Sequence, residues 1–119
     1  MGNSAVAIGH VSKDYQRVAD MAEFRPILQQ ENVLFSTLLN KKHMIWFTKS
    51  KYIILTDTRI IQASSGSKTV RFVNKYADLL GVTKSLRVGS NNFIMHFGTR
   101  ADEEVMSDHR EELISILAT

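Results

Sequence analysis

The chain has 119 residues, 44% of them hydrophobic and 23% charged, with a net charge of +3 and no cysteine. That size and apolar content fit one compact domain and exclude a disordered chain. Lack of cysteine excludes disulfides, thiolate metal sites and a cysteine nucleophile, and no apolar run reaches the ~18 residues of a membrane span.

No basic-then-apolar leader ends in a small-residue cleavage site, so the expectation is an intracellular protein. Met1-Gly2-Asn3-Ser4 opens like a myristoylation signal, but Val6 stands where Ser or Thr is needed, and a flexible terminus is expected instead. The charge is unevenly spread. Residues 1–31 carry 3 basic and 4 acidic side chains, residues 32–75 carry 8 and 1, and residues 76–119 carry 4 and 7.

In chain order, residues 1–11 read as loose. Ser12 is a candidate N-cap for a short helix with Tyr15, Val18, Ala19 and Ala22 at helical spacing, closing before Phe24-Arg25-Pro26 because the residue before proline disfavours helix. After Glu31 come short, β-branched-rich runs between polar turns, the pattern of an antiparallel sheet. Seven strands are expected: Val33–Leu39, Tyr52–Thr56, Arg59–Gln62, Thr69–Val73, Leu80–Val88, Phe93–Phe97 and Glu104–Ser107. Asp57-Thr58, Ser64-Ser65-Gly66-Ser67 and Gly89-Ser90-Asn91-Asn92 supply turn chemistry. A C-terminal helix follows, with Asp108 and Glu111 spaced as a capping box and Leu113, Ile114, Ile116 and Leu117 as its apolar stripe. A small twisted sheet leaves one apolar opening, which such a helix can plug.

Within the basic third, Lys41 and Lys42 leave the first strand and Lys49 and Lys51 enter the second, so pairing brings both pairs to one open end. Arg59 on the third strand is a candidate to join them. The two-residue strand period turns Lys49 and Lys51 to one face. Between the pairs lies Met44-Ile45-Trp46-Phe47. Three readings stay open for it: a membrane wedge with Ile45, Trp46 and Phe47 inserting, an inward-packing extension of strand two, or a protein-docking tip. His43 sits in the same loop, where protonation would add a charge. Arg71 and Lys75 either extend the basic face or are surface charges. His96 alternates outward in its strand and reads as a surface or hydrogen-bond-satisfied histidine. Asp102-Glu103-Glu104 reads as a solvated turn, and no histidine or carboxylate spacing points to a metal.

The strand order and the local strings resemble the pleckstrin-homology fold. Residues 31–61, ENVLFSTLLNKKHMIWFTKSKYIILTDTRII, resemble the opening of the pleckstrin-homology domain of 3-phosphoinositide-dependent protein kinases. GVTKS at 81–85, NNFIMHF at 91–97 and EEVMSDHREELISIL at 103–117 are similar to the tail homology domain of class I myosins. The resemblance implies a mainly β fold: a seven-stranded antiparallel sandwich or partly open barrel capped by one C-terminal helix. It places a pleckstrin-homology-like domain at 24–119 behind an extension, 1–23, with a short helix. Two departures stand out. The final helix lacks the family's frequent tryptophan, and Lys49-Ser50-Lys51 replaces its Lys/Arg-x-Arg, so a point charge stands where a bidentate phosphate fork is usual.

Neither a serine elbow nor a phosphate-cradling glycine loop nor paired histidines is present, so no enzyme is expected of the domain itself. Nucleic acid is not expected either, because the basic block lacks an interleaved aromatic platform or a recognition helix. The resemblance implies a cytoplasmic, peripherally membrane-bound module without a cofactor, binding phosphoinositides or anionic phospholipid through Lys41, Lys42, Lys49, Lys51 and Arg59, as a regulatory part of a kinase or other larger protein. The alternative is a protein-interaction or dimerisation module on the same scaffold, using the apolar loop tip or the sheet edge and binding no lipid.

Overall fold

A computed structural model describes residues 18–28, 31–44 and 47–118, with the side chains of 42–44, 47 and 48 left aside. Its elements run α1 (Arg25–Leu28), β1 (Val33–Met44), β2 (Phe47–Thr56), β3 (Arg59–Ser64), β4 (Val70–Lys75), a 3-10 turn (Tyr76–Asp78), β5 (Leu79–Lys84), β6 (Asn92–Phe97), β7 (Glu103–Met106) and α2 (Arg110–Leu117). The seven strands form one antiparallel sheet in the order β4-β3-β2-β1-β7-β6-β5. β1 and β7 share only the register pair Asn40↔Met106. The sheet is mainly β architecture with a pleckstrin-homology-like arrangement, as expected. Among the described residues no helix is long and apolar enough to cross a membrane.

Alternation builds the core. In β6, Phe93, Met95 and Phe97 are buried while Asn92, Ile94 and His96 are half-buried on the other face. They meet Phe35, Leu39, Ile53, Leu55, Ile60 and Val105 from the facing strands. Leu113 and Leu117 of α2 enter the same cluster, so the helix plugs it. β2 is different: Ile53, Ile54 and Leu55 are all fully buried. A continuous apolar run fits a strand covered on both sides. The second cover is the segment before β1, whose Val18, Phe24 and Leu28 pack with Ile54, Ile61 and Ala63.

Several details depart from the sequence reading. Pro26 lies inside α1 rather than beyond a helix, at a first-turn position where a missing N–H costs nothing. Residues 18–19 are helical, and the expected start at Ser12 and Tyr15 lies outside the described residues. β5 stops at Lys84, where Ser85 N–H closes onto Asn92 O at 3.3 Å and Gly89 turns the chain at φ 81°. Leu86 and Val88, which extended the apolar pattern, stand 90% and 98% exposed. The expected capping box of Asp108 and Glu111 does not form at α2. Asp108 accepts from Asn91 Nδ2 at 3.3 Å, and Glu111 is taken by Lys84 Nζ and Arg110 Nε, each at 3.0 Å. His109 holds the N-cap position, its N–H donating to Ser107 Oγ at 2.9 Å.

Because Leu113 is fully buried in the plugging helix, Leu113→Ala is expected to lose about 3 kcal/mol of stability. Leu86→Ala should stay within about 0.5 kcal/mol. Urea denaturation of both variants checks the ranking, and equal losses would refute the helix as a plug.

Candidate functional site: a basic mouth

The β1–β2 register places Lys41 directly opposite Lys49 and Leu39 opposite Lys51. Leu39 is buried in the core, so the two-residue period sets Lys41, Lys49 and Lys51 on the inner face where that core runs out. Lys51 in turn pairs with Ser64 of β3. The fourth cation arrives through an irregularity. Gln62 pairs with Phe72 and Ala63 with Val70, leaving Arg71 as the extra residue of a bulge. Bulges re-aim side chains. An open cleft of about 300 Å³ results, lined by Lys41, Lys49, Lys51 and Arg71 together with Ser50, Ser64 and Phe72.

Beneath the cleft lies an ion cluster. Glu103, which opens β7, is only 2% exposed. Its Oε1 accepts from Arg100 NH1 at 3.0 Å and Gln62 Nε2 at 3.2 Å. Oε2 contacts the Lys51 ammonium and has Lys41 Nζ at 3.9 Å. The Arg100 guanidinium is sandwiched 3.9 Å from the centres of both Phe72 and Phe97, and its Nε and NH2 donate to Asn74 Oδ1 at 3.2 and 3.0 Å. Burial, then the charges of Lys41 and Arg100, push the Lys51 ammonium down to about 7. Contact with the Glu103 carboxylate opposes that shift, and burial prevails.

Arg59 is not part of this group. It starts β3 beside Thr56, at the end of β2 remote from Lys49 and Lys51, in register with Lys75. There it is bound by Glu31: Arg59 Nε donates to Glu31 Oε1 at 3.1 Å, NH2 contacts Oε2, and NH2 donates to Ile27 O at 2.9 Å. Thr56 and Thr58 hydroxyls also donate to Glu31 Oε1, at 2.7 and 2.5 Å. The hydrogen bond from Arg59, helped by those of the threonines, holds the Glu31 carboxyl down at about 2 against its burial.

Lys42 pairs in backbone register with Thr48, and Met44 with Phe47. The side chains of Lys42, His43 and Phe47 and all of Ile45 and Trp46 lie outside the described residues. β1 runs on to Met44, and β2 begins at Phe47, close to the longer strand two among the open readings, so Lys41, Lys42, Lys49 and Lys51 sit on ladder rungs and not in a loop. His96 is half-buried and bonded on both nitrogens, Nε2 with Thr83 Oγ1 at 2.6 Å and Nδ1 with Asp102 Oδ2 at 2.9 Å. The acidic trio splits: Asp102 and Glu104 are exposed, whereas Glu103 is buried in the cluster. Sequence reading missed Glu103, Arg100, Ser64 and Phe72, and the one available signal was the inward phase that Glu103 shares with Val105.

Solved structures repeat the fold. The DH/PH domain of human ARHGEF11, in a ternary complex with human RhoA and its inhibitor, superposes with a TM-score of 0.63 at 10% identity. A DH/PH fragment of PDZRHOGEF in complex with human RhoA gives 0.59 at 12% identity. This chain is covered to 98% in both and spans 38% of each of theirs. The C-terminal domain of an unknown protein from Leishmania infantum gives 0.60 at 17% identity, covering 80% of this chain and 92% of that one. No family model matches the sequence, and no curated protein matches it. The likeness establishes a pleckstrin-homology-like fold.

The Glu31 clasp carries a pH signature. A carboxyl held near 2 when folded and 4.5 when unfolded stabilises the fold fully above the unfolded value, and that share is lost as pH falls towards 2. Glu31→Gln should therefore be less stable than the parent at neutral pH, with the gap closing in acid. Urea midpoints across that range check it, and a gap independent of pH would refute the clasp.

Proposed function

We propose that this chain is a non-catalytic, pleckstrin-homology-like module that docks on membranes by binding phosphoinositide or other anionic phospholipid headgroups in the basic mouth. The observation that carries this reading is the direct opposition of Lys41 and Lys49. Like charges on facing rungs destabilise a ladder. Here two further cations, Lys51 and Arg71, line the same cleft, and the described residues offer them one buried carboxylate. A phosphate group would relieve that repulsion. Ser64 adds a hydroxyl donor beside the cations, whereas the Ser50 hydroxyl donates to Asn40 Oδ1 at 3.0 Å.

Magnitudes fit weak, surface-dependent binding. At about 1 kcal/mol per basic residue near an anionic surface, four cations supply on the order of 4 kcal/mol, a millimolar affinity without further contacts. Arg71 changes the chemistry that the lysines alone would give. Its planar guanidinium can grip a phosphate through two parallel bonds, the fork missing from Lys49-Ser50-Lys51. Such a module would sit at the cytoplasmic face of a membrane, as a targeting part of a kinase or another larger protein. Lys42 and the Ile45, Trp46 and Phe47 tip would add contacts at the same end of the β1–β2 hairpin.

Protein docking on the same scaffold has separate support. Leu86 and Val88 flank Arg87 on the β5–β6 turn, almost wholly exposed. Paired apolar tips of this kind mark contact surfaces.

Co-sedimentation with anionic vesicles, with and without phosphoinositide, separates the readings. Lys49→Glu with Lys51→Glu, and Arg71→Glu alone, should each weaken binding about tenfold or more, whereas Lys75→Glu, beside Arg59, should leave it within about twofold. Binding should fall steeply with salt and strengthen from about pH 8 to about pH 6 as Lys51 takes up its proton. A parent chain that ignores anionic vesicles at low salt, or a charge-reversed mouth that still binds, would overturn the lipid reading.

A further inference from the structure

Glu103 lies one layer below the cleft and does not line it. A carboxylate this deeply buried needs compensation, and Arg100 already supplies it. That guanidinium is fixed by two aromatic rings and by Asn74, and it donates to Glu103 Oε1 at 3.0 Å, where Gln62 Nε2 also donates. One carboxylate oxygen is thus held by anchored donors. Among the described residues the other meets lysine ammonium groups, Lys51 in contact and Lys41 at 3.9 Å.

Lys51 is therefore a second cation on a carboxylate that Arg100 has balanced. Its side chain, 15% exposed, stands at the boundary of the two regions, with Glu103 on one side and the cleft on the other. A lysine stem has four rotatable bonds and its ammonium has no preferred plane, so it can change partners with little rearrangement.

We propose that Glu103 is a resident counter-ion that competes with a ligand's phosphate for the Lys51 ammonium, so that loading the mouth transfers Lys51 from carboxylate to phosphate. Glu103 is then a positioning residue. It keeps Lys51 paired and aimed while the mouth is empty, and it lowers affinity for any phosphate monoester, whether on a lipid headgroup or free in solution. This inference rests on the anion-binding reading above. A solely structural role, tying β7 to β1 and β2 where Asn40↔Met106 is their one ladder pair, would cost stability but would not couple to Lys51.

The test is a double-mutant cycle on the full chain: parent, Glu103→Gln, Lys51→Met and the double variant. Soluble inositol trisphosphate and vesicles carrying phosphatidylinositol bisphosphate serve as separate probes, near pH 6 where Lys51 is charged. Glu103→Gln should bind about three- to tenfold tighter than the parent, as expected for releasing the Lys51 ammonium from its carboxylate to pair with the anion. In the Lys51→Met background the same change should have less than about a twofold effect. A gain with the trisphosphate alone assigns the free phosphate as the ligand that Glu103 restrains, and a gain with both probes includes the lipid.

An unchanged or weaker Glu103→Gln, with a parent that binds, overturns the competition and leaves the anion-binding reading standing. Binding by Glu103→Gln alone supports the competition while removing the parent's site from service. Binding by neither the parent nor Glu103→Gln overturns both. If Glu103→Gln does not fold, carboxyl carbon resonances of the parent decide: the Glu103 signal must move when the trisphosphate saturates the mouth, and a stationary signal refutes the exchange.

Discussion

The register of the β1–β2 ladder governs both the core and the mouth. Along one face its rungs run Phe35↔Leu55, Thr37↔Ile53, Leu39↔Lys51 and Lys41↔Lys49, from wholly apolar to wholly cationic. A slip of one residue would turn every one of these side chains to the opposite face. The apolar rungs set the phase, because Phe35, Leu39, Ile53 and Leu55 are buried together. The lysines inherit it. Hydrophobic burial therefore holds like charges face to face, which the cations alone would avoid.

Acidic groups elsewhere are largely consumed within the fold. Glu31 is bound to Arg59, Glu111 lies between Lys84 and Arg110, and Asp102 meets His96. Glu103 differs in placement, since among the described residues it pairs with lysines of the basic hairpin. Its position explains how a buried carboxylate and a cluster of cations coexist. Arg100, stacked between Phe72 and Phe97, neutralises it from one side and Lys51 from the other.

Much of this was legible in the sequence, for identifiable reasons. All seven strands and the terminal helix followed from alternation and turn residues, and the convergence of Lys41, Lys49 and Lys51 followed from antiparallel pairing. Arg59 was also decidable. Thr56 and Thr58 separate it from a strand that carries Lys51 five residues earlier, roughly 17 Å away at strand rise. A third strand starting from that turn begins at the wrong end. Other features had no local signature. The bulge that brings in Arg71 depends on β3–β4 pairing, and Glu103 looked like a solvated turn because its burial depends on strands distant in sequence. The capping-box spacing was present, but Lys84 on a neighbouring strand bonded Glu111 instead.

Backbone amide shifts of the parent chain, recorded while inositol trisphosphate is titrated in, interrogate the mouth residue by residue. Changes should concentrate at Lys41, Lys49, Lys51, Ser64 and Arg71, with Arg59 and Lys75 silent. Perturbation centred on Arg59 and Lys75, or no saturable change anywhere, would contradict anion binding at the basic mouth.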